Sequence, residues 1–221
     1  MSELSKLKKD DKIRVMLAQI NFIVADLQGN KKKILKIAEI ARINKIDLLV
    51  FPEMALTGYS IQDLIFDNDL YESEKKILME IAQSYPDLTM IIGGFDIKSD
   101  PSYHPKYQNV AFILSNGEIS IDSPSKRLIP SYDVYDEKRY FWPGEHFAPF
   151  ELKGMKFGIA ICEDIWEEDY QINVTEQLLK NKSDIIISIN ASPYNIEKRE
   201  QREDLLKKKA LKYKIPFVLS R

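Results

Sequence analysis

Residues 156–166 read KFGIAICEDIW. The first six are apolar and β-branched enough for a strand buried on both faces, and the chain turns acidic at Glu163-Asp164. Cys162, the only cysteine of the 221 residues, stands where the strand ends. A lone cysteine forms no internal disulfide, so its value is packing or reactivity. In α/β proteins the C-terminal tip of a strand is where a nucleophile is mounted. An isolated buried cysteine is more often a small core residue, so the reading depends on what else the chain brings to that edge.

Working outward, strand-like and helix-like segments alternate. Strands are expected at 12–20 (KIRVMLAQI), 47–51 (DLLVF, stopped by Pro52), 89–94, 156–162, 184–190 (DIIISIN) and 216–220. Helices are expected at 30–44, with Ile34, Ile37, Ala38 and Ala41 on one stripe, and at 72–85, with Ile77, Leu78, Ile81, Ala82 and Tyr85 inward. Two more are expected near 171–181 and 197–213. Residues 107–114 and 118–121, joined through Asn116-Gly117, read as a β-hairpin. Buried strands alternating with amphipathic helices predict an α/β domain, and the hairpin predicts a mixed sheet. Residues 122–150 are rich in proline, aromatic and charged side chains without periodicity, and a loop of that length is usually functional. There is no repeat or linker, so residues 1–221 are read as one domain.

Composition narrows the function. With 32 Lys+Arg against 34 Asp+Glu and a net charge of −2, there is no electrostatic case for nucleic-acid binding. The lysine clusters at 31–33 and 207–209 sit on helix-like segments and read as solvated faces. No apolar run approaches the length that spans a bilayer, and the polar start MSELSKLKKDDK lacks the apolar core of a secretory signal. One cysteine fits a reducing compartment, so the expected location is the cytoplasm. Phosphate-loop, dinucleotide-fold and zinc motifs are missing, so neither a nucleotide nor a metal site is expected. The two histidines, His104 and His146, lie in loops without a second ligand nearby and read as surface or packing residues.

Three charged residues keep company with Cys162. Glu53 follows the apolar run LLVFP at a strand end. Lys126 opens the long loop, and Glu137 lies in its aromatic cluster. Each alone reads as a solvated or ion-paired loop residue. Together they make chemical sense. A thiol must lose its proton to attack, a carboxylate can take it, and a lysine held by carboxylates can steady an oxyanion. The backbone N–H of Glu163, next after the cysteine, is a natural second donor to that oxyanion.

Four ordered motifs, FPEMALTGYS, KRLIPSYDVYDEKRYFWPGE, GIAICEDIW and INASPY, resemble those of the nitrilase superfamily of carbon–nitrogen hydrolases. Within it they are most similar to the glutaminase domain of glutamine-dependent NAD synthetases. The resemblance implies a four-layer α-β-β-α sandwich. It also implies Cys162 as nucleophile, Glu53 as general base, Lys126 as the oxyanion-stabilising lysine and Glu137 as the second glutamate beside it. Substrate contacts would fall on Tyr59, Tyr132, Tyr135, Ser192 and Lys198, the last against the α-carboxylate of glutamine. Glutamine would be the substrate, the ammonia being passed to a synthetase domain that binds ATP and deamido-NAD. That domain is absent here and would act in trans, and this chain would bind no cofactor itself. Assembly into oligomers is also implied.

Two departures stand out. Glu197 occupies the place of the family's glycine before the substrate lysine. The family's G-G…E-x-x-F-D-G-x-S segment does not follow the last strand, so the domain is expected to be incomplete at its C-terminal side. That leaves two alternatives to a working glutaminase: a non-catalytic remnant or split-gene subunit, and an amidase for another small amide.

Overall fold

The apolar runs pair into two sheets rather than one. In the computed structural model, which describes residues 12–98, 106–193 and 196–221, the first sheet has the order β1-β2-β3-β4-β5. It comprises β1 (Val15–Leu17), β2 (Leu48–Val50), β3 (Thr89–Lys98), β4 (Lys106–Ser115) and β5 (Glu118–Ile119). β1, β2 and β3 run parallel, and β4 and β5 return antiparallel. The second sheet has the order β6-β7-β8-β9, from β6 (Phe150–Leu152), β7 (Met155–Ile161), β8 (Ile185–Ile189) and β9 (Phe217–Ser220). Here β6 pairs antiparallel to β7, and β7, β8 and β9 are parallel.

Alternation along the strands explains why two sheets form. Leu48, Val50, Ile91, Ala111 and Ile113 point from the first sheet into a core shared with Phe157, Ile159, Ile161, Ile187 and Ile189 of the second. Their neighbours Leu49, Met90, Ile92, Val110, Phe112 and Leu114 point the other way. They meet Ile34, Ala38 and Ala41 of α1 (Leu27–Ile43) and Ile77, Leu78, Ile81 and Ala82 of α2 (Asn68–Ser84). On the far side, Ala160 and Ile186 pack with Val174 and Leu178 of α3 (Val174–Lys180) and Leu205 of α4 (Lys198–Tyr213). The result is a four-layer α-β-β-α sandwich, as the resemblance implied. Strands apolar at every position need cover on both faces, and sheet against sheet supplies one of them.

The elements differ from expectation mainly at their ends. The first strand is three residues, not the whole of 12–20, and β3 runs on to Lys98. The long loop holds a single 3-10 turn at Glu137–Arg139. It ends in β6, which the aperiodic reading of 122–150 did not foresee, and a turn at Lys153-Gly154 with positive φ at both joins β6 to β7. α1 starts earlier than expected because the Asp26 carboxylate accepts from the Gly29 N–H, a side-chain cap. His146 is exposed, whereas His104, Tyr194 of the fourth motif and the N-terminal residues 1–11 lie outside the described residues. No described helix is long and apolar enough to cross a membrane.

One glycine sets the distance between β3 and the loop that carries Glu53. A Cβ on Gly93 would stand 2.3 Å from the Met54 nitrogen, 2.4 Å from the Pro52 carbonyl oxygen and 2.6 Å from the Glu53 Cα. All three are backbone atoms, and the Gly93 N–H donates to the Pro52 carbonyl at 3.2 Å. Gly93→Ala is expected to cost roughly 1–3 kcal/mol, the usual penalty for overpacking, and to shift Glu53. Urea denaturation measures it, and an unchanged midpoint would show that the loop yields freely.

Candidate active site

The first sheet delivers Glu53 to the site and the second delivers Cys162. Phe51, Pro52 and Glu53 leave β2, Cys162 leaves β7 and Ser192 follows β8, so the carboxylate and thiol sit at the C-terminal ends of parallel strands. The sheets meet there: the Ala191 N–H, just past β8, donates to Glu53 Oε2 at 2.9 Å. Lys126 enters from the loop after β5, its N–H donating to the Asn109 carbonyl on β4 at 2.8 Å.

These groups are almost sealed from water. Glu53 is 2% exposed, Lys126 0%, Glu137 4% and Cys162 5%. The Lys126 ammonium donates to Glu53 Oε1 at 2.9 Å and to both oxygens of Glu137 at 2.8 Å. Asn109 Nδ2 also donates to Glu53 Oε1, at 2.8 Å, and the Tyr59 hydroxyl donates to Glu137 Oε1 at 2.9 Å. Glu53 thus has both oxygens occupied and its direction fixed. Cys162 has φ +48°, a left-handed conformation that costs a non-glycine residue energy. Its Sγ lies 3.4 Å from the Ser192 hydroxyl.

Charge balance sets the protonation states. Burial alone would lower the pKa of Lys126, but Glu53, Cys162 and Glu137 together outweigh it and hold the lysine well above its ordinary value. Burial raises the pKa of Glu137, offset in part by Lys126. The Cys162 thiol is pushed far up, first by burial and then by the Glu53 charge, with Lys126 and the Ser192 hydroxyl opposing. Burial and the Glu53 charge thus push the cysteine toward the neutral thiol, so any reaction of its sulfur would need a base.

Around this cluster stand aromatic side chains. Burial and then Cys162 raise the pKa of Tyr135 to about 12. Tyr132 packs edge-on to Tyr135 at 5.5 Å between centroids and donates to Glu163 Oε1 at 2.8 Å, and Tyr170 donates to the same oxygen at 3.0 Å. Tyr59, Tyr135 and Glu137 help line a cavity of about 370 Å³. Glu163, Tyr132, Tyr170 and Trp166 help line another of about 620 Å³. The Lys198 ammonium is 4.1 Å from the centre of the Trp166 ring. Lys198 thus stands on the Trp166 side, whereas Tyr59, Tyr135 and Ser192 gather around the four buried groups.

Three supporting residues escaped the sequence reading. Asp164, fully buried, accepts from the N–H groups of Arg127 at 2.8 Å, Leu128 at 2.9 Å and Ile161 at 2.9 Å. It ties the cysteine turn to the segment carrying Lys126. Arg127 donates from Nη1 to the Ile159 carbonyl at 2.6 Å and from Nη2 to the His146 carbonyl at 2.5 Å. Both residues lie inside quoted motifs, but nothing in the spacing marks them as partners. Asn109 did leave a signal, a polar residue inside the apolar run YQNVAFIL. A buried amide in a strand interior needs a partner.

A carbon-nitrogen hydrolase family model matches residues 14–206. The chain belongs to the carbon–nitrogen hydrolase family. This hydrolase is 34% identical to the glutamine-dependent NAD(+) synthetase of Thermotoga maritima, over 94% of its own length and 35% of that protein's. It is 33% identical to that of Aquifex aeolicus, over 90% and 33%. Among solved structures, the glutamine-dependent NAD+ synthetase of Acinetobacter baumannii superposes with a TM-score of 0.83 at 30% identity, covering 94% of this chain and 38% of that one. An amidase from Nesterenkonia sp. shares the fold, with a TM-score of 0.77 at 18% identity. The hydrolase spans about a third of the length of the curated synthetases it matches.

Two measurements follow from the buried charges. Lys126→Met would leave two carboxylates facing each other in a dry site and is expected to cost about 3–5 kcal/mol in urea denaturation, as removing one partner of a buried ion pair does. Adding Glu137→Gln should recover part of that loss, and no recovery would show that the pairing is not the cause. The second concerns Cys162, whose folded pKa is raised. Its contribution to stability is full below the unfolded thiol pKa of about 8.5 and is lost as pH rises above it. Between pH 7.5 and 9.5 the protein should therefore lose about 1.4 kcal/mol more than Cys162→Ser does. An equal loss in both would show that the buried thiol titrates normally.

Proposed function

We propose that this hydrolase cleaves the side-chain amide of glutamine through Cys162, Glu53 and Lys126. The observation that carries the reading is the buried lysine held by Glu53 and Glu137 beside a protonated, strained cysteine. Its assignment to glutamine rests on the synthetase relatives, which align over nearly the whole chain.

Glu53 takes the thiol proton as Sγ attacks the amide carbon. The tetrahedral oxyanion is met by the Lys126 ammonium and the Glu163 backbone N–H. The proton on Glu53 passes to the departing nitrogen, ammonia leaves and a γ-glutamyl thioester remains. Water then gives a proton to Glu53 and attacks the thioester, and glutamate leaves as Glu53 returns the proton to sulfur. The sum is glutamine and water to glutamate and ammonia. Glu137 holds Lys126 in place, Tyr59, Tyr135 and Ser192 would line the substrate pocket beside these groups, and Tyr132 and Lys198 would meet the substrate from the Trp166 side. The ammonia would serve the ATP-dependent amidation of deamido-NAD by a synthetase domain.

The test is ammonia and glutamate release from L-glutamine by the purified protein. Cys162→Ala and Glu53→Gln are each expected to lower kcat by at least about a thousandfold, as loss of a nucleophile or its base does. Turnover that survives in Cys162→Ala overturns the mechanism. No turnover in the unaltered protein favours the non-catalytic alternative.

A further inference from the structure

β4 divides its residues between two faces. Val110, Phe112 and Leu114 pack toward α1 and α2, and Ala111 and Ile113 pack toward the second sheet. Alternation puts Asn109 with the latter pair, so an amide stands in a layer that is otherwise apolar. It is 0% exposed. Its Nδ2 donates to Glu53 Oε1 at 2.8 Å, and its Oδ1 is buried without a hydrogen-bond partner among the described residues. A carboxylate oxygen only accepts, so the amide nitrogen has to face Glu53 and the amide oxygen is the atom left over.

For stability alone this is a poor arrangement. A buried polar atom without a partner is costly, whereas an apolar side chain of the same shape would fill the layer as Ala111 and Ile113 do. Nor does Glu53 need the amide to avoid being stranded. The Lys126 ammonium is on the same oxygen at 2.9 Å, and the Ala191 N–H is on the other at 2.9 Å. What the amide adds is direction. The lysine ends a flexible stem and is shared with both oxygens of Glu137, but Asn109 is a short planar donor fixed on a strand. Its backbone reaches the lysine as well. The Asn109 carbonyl accepts from the Lys126 N–H at 2.8 Å, and two residues on, the Ala111 N–H donates to the Pro124 carbonyl at 2.9 Å. One residue of β4 thus sets Glu53 by its side chain and the start of the Lys126 segment by its backbone.

We propose that Asn109 is a positioning residue for the base: its amide fixes the Glu53 carboxylate in the orientation from which it takes the Cys162 proton, and it acts through Glu53 alone. This rests on the glutamine reading and adds to it a residue that the reaction steps do not use. Small errors in the placement of a reacting group are enough to slow a reaction strongly, which is why a direction is worth an unpartnered oxygen in the core.

The test is Asn109→Leu, alone and combined with Glu53→Gln. Alone, it is expected to lower kcat for L-glutamine about 10–100-fold and to leave KM within about threefold. Its melting temperature should fall by no more than about 3 °C, since the leucine strands no charge and removes the unpartnered oxygen. In the Glu53→Gln background the same substitution should change the residual rate by less than about twofold, as for two residues that act as a unit. An unchanged kcat, a loss of stability that accompanies the fall, or an equal fall in both backgrounds overturns the inference and leaves the glutaminase reading standing. If the unaltered protein releases no glutamate, the glutaminase reading fails by itself. Alkylation by iodoacetamide then reads the pairing without turnover, because Cys162 is the only thiol of the chain and the Glu53 charge acts on it. Asn109→Leu should change that rate at least about threefold where Glu53 is present and not where it is replaced. No change, or the same change in both backgrounds, overturns the inference.

Discussion

A fully buried ammonium has to be met by oxygen wherever the chain puts it, and at Lys126 the oxygens come from opposite parts of the fold. Glu53 arrives on the end of β2 in the first sheet, and Glu137 on the 3-10 turn of the long loop. One cation thus fastens the loop to the first sheet, and Glu53 in turn accepts from Ala191 beyond the second sheet. The geometry of the edge depends on this triad. The sheets' apolar faces would pack without it, but nothing apolar would fix the direction of either carboxylate.

The same triad sets the chemistry. Burial, and after it the Glu53 charge, favour the protonated Cys162 thiol, with Lys126 opposing. On the proposed mechanism, a protonated thiol waits beside its base rather than a free thiolate. Asp164 and Arg127 add a second brace by tying the turn after Cys162 to the backbone of the residue following Lys126. Three backbone N–H groups on one carboxylate make a rigid joint, because each would otherwise be buried without a partner.

The fold was legible wherever periodicity has one meaning. Stripes on α1 and α2 came through because one apolar face meets one sheet. The strand runs were legible as buried strands, but a run apolar at every position does not say what covers its second face. The existence of two sheets came only from the motif resemblance, and the structure answers it with the core between Leu48, Val50 and Ile159, Ile187. β6 was missed because three residues in a proline-rich loop carry no period, and their pairing with β7 is set by the partner strand.

Of the candidate site, the sequence by itself offered the groups that the structure brings together: one thiol at a strand end, a glutamate at another, and a lysine and a glutamate in one aromatic loop. Residue type and position along the chain carry that much, because a strand's end is local. The tertiary structure alone decided which groups meet. Lys126 and Glu53 are far apart in sequence and 2.9 Å apart in space, and Asn109, Asp164 and Arg127 acquire their roles only by that folding. It also decided that Lys198 rests on Trp166 while Arg202 is buried, because whether a helical cation faces solvent, an aromatic ring or the interior depends on how the helix packs.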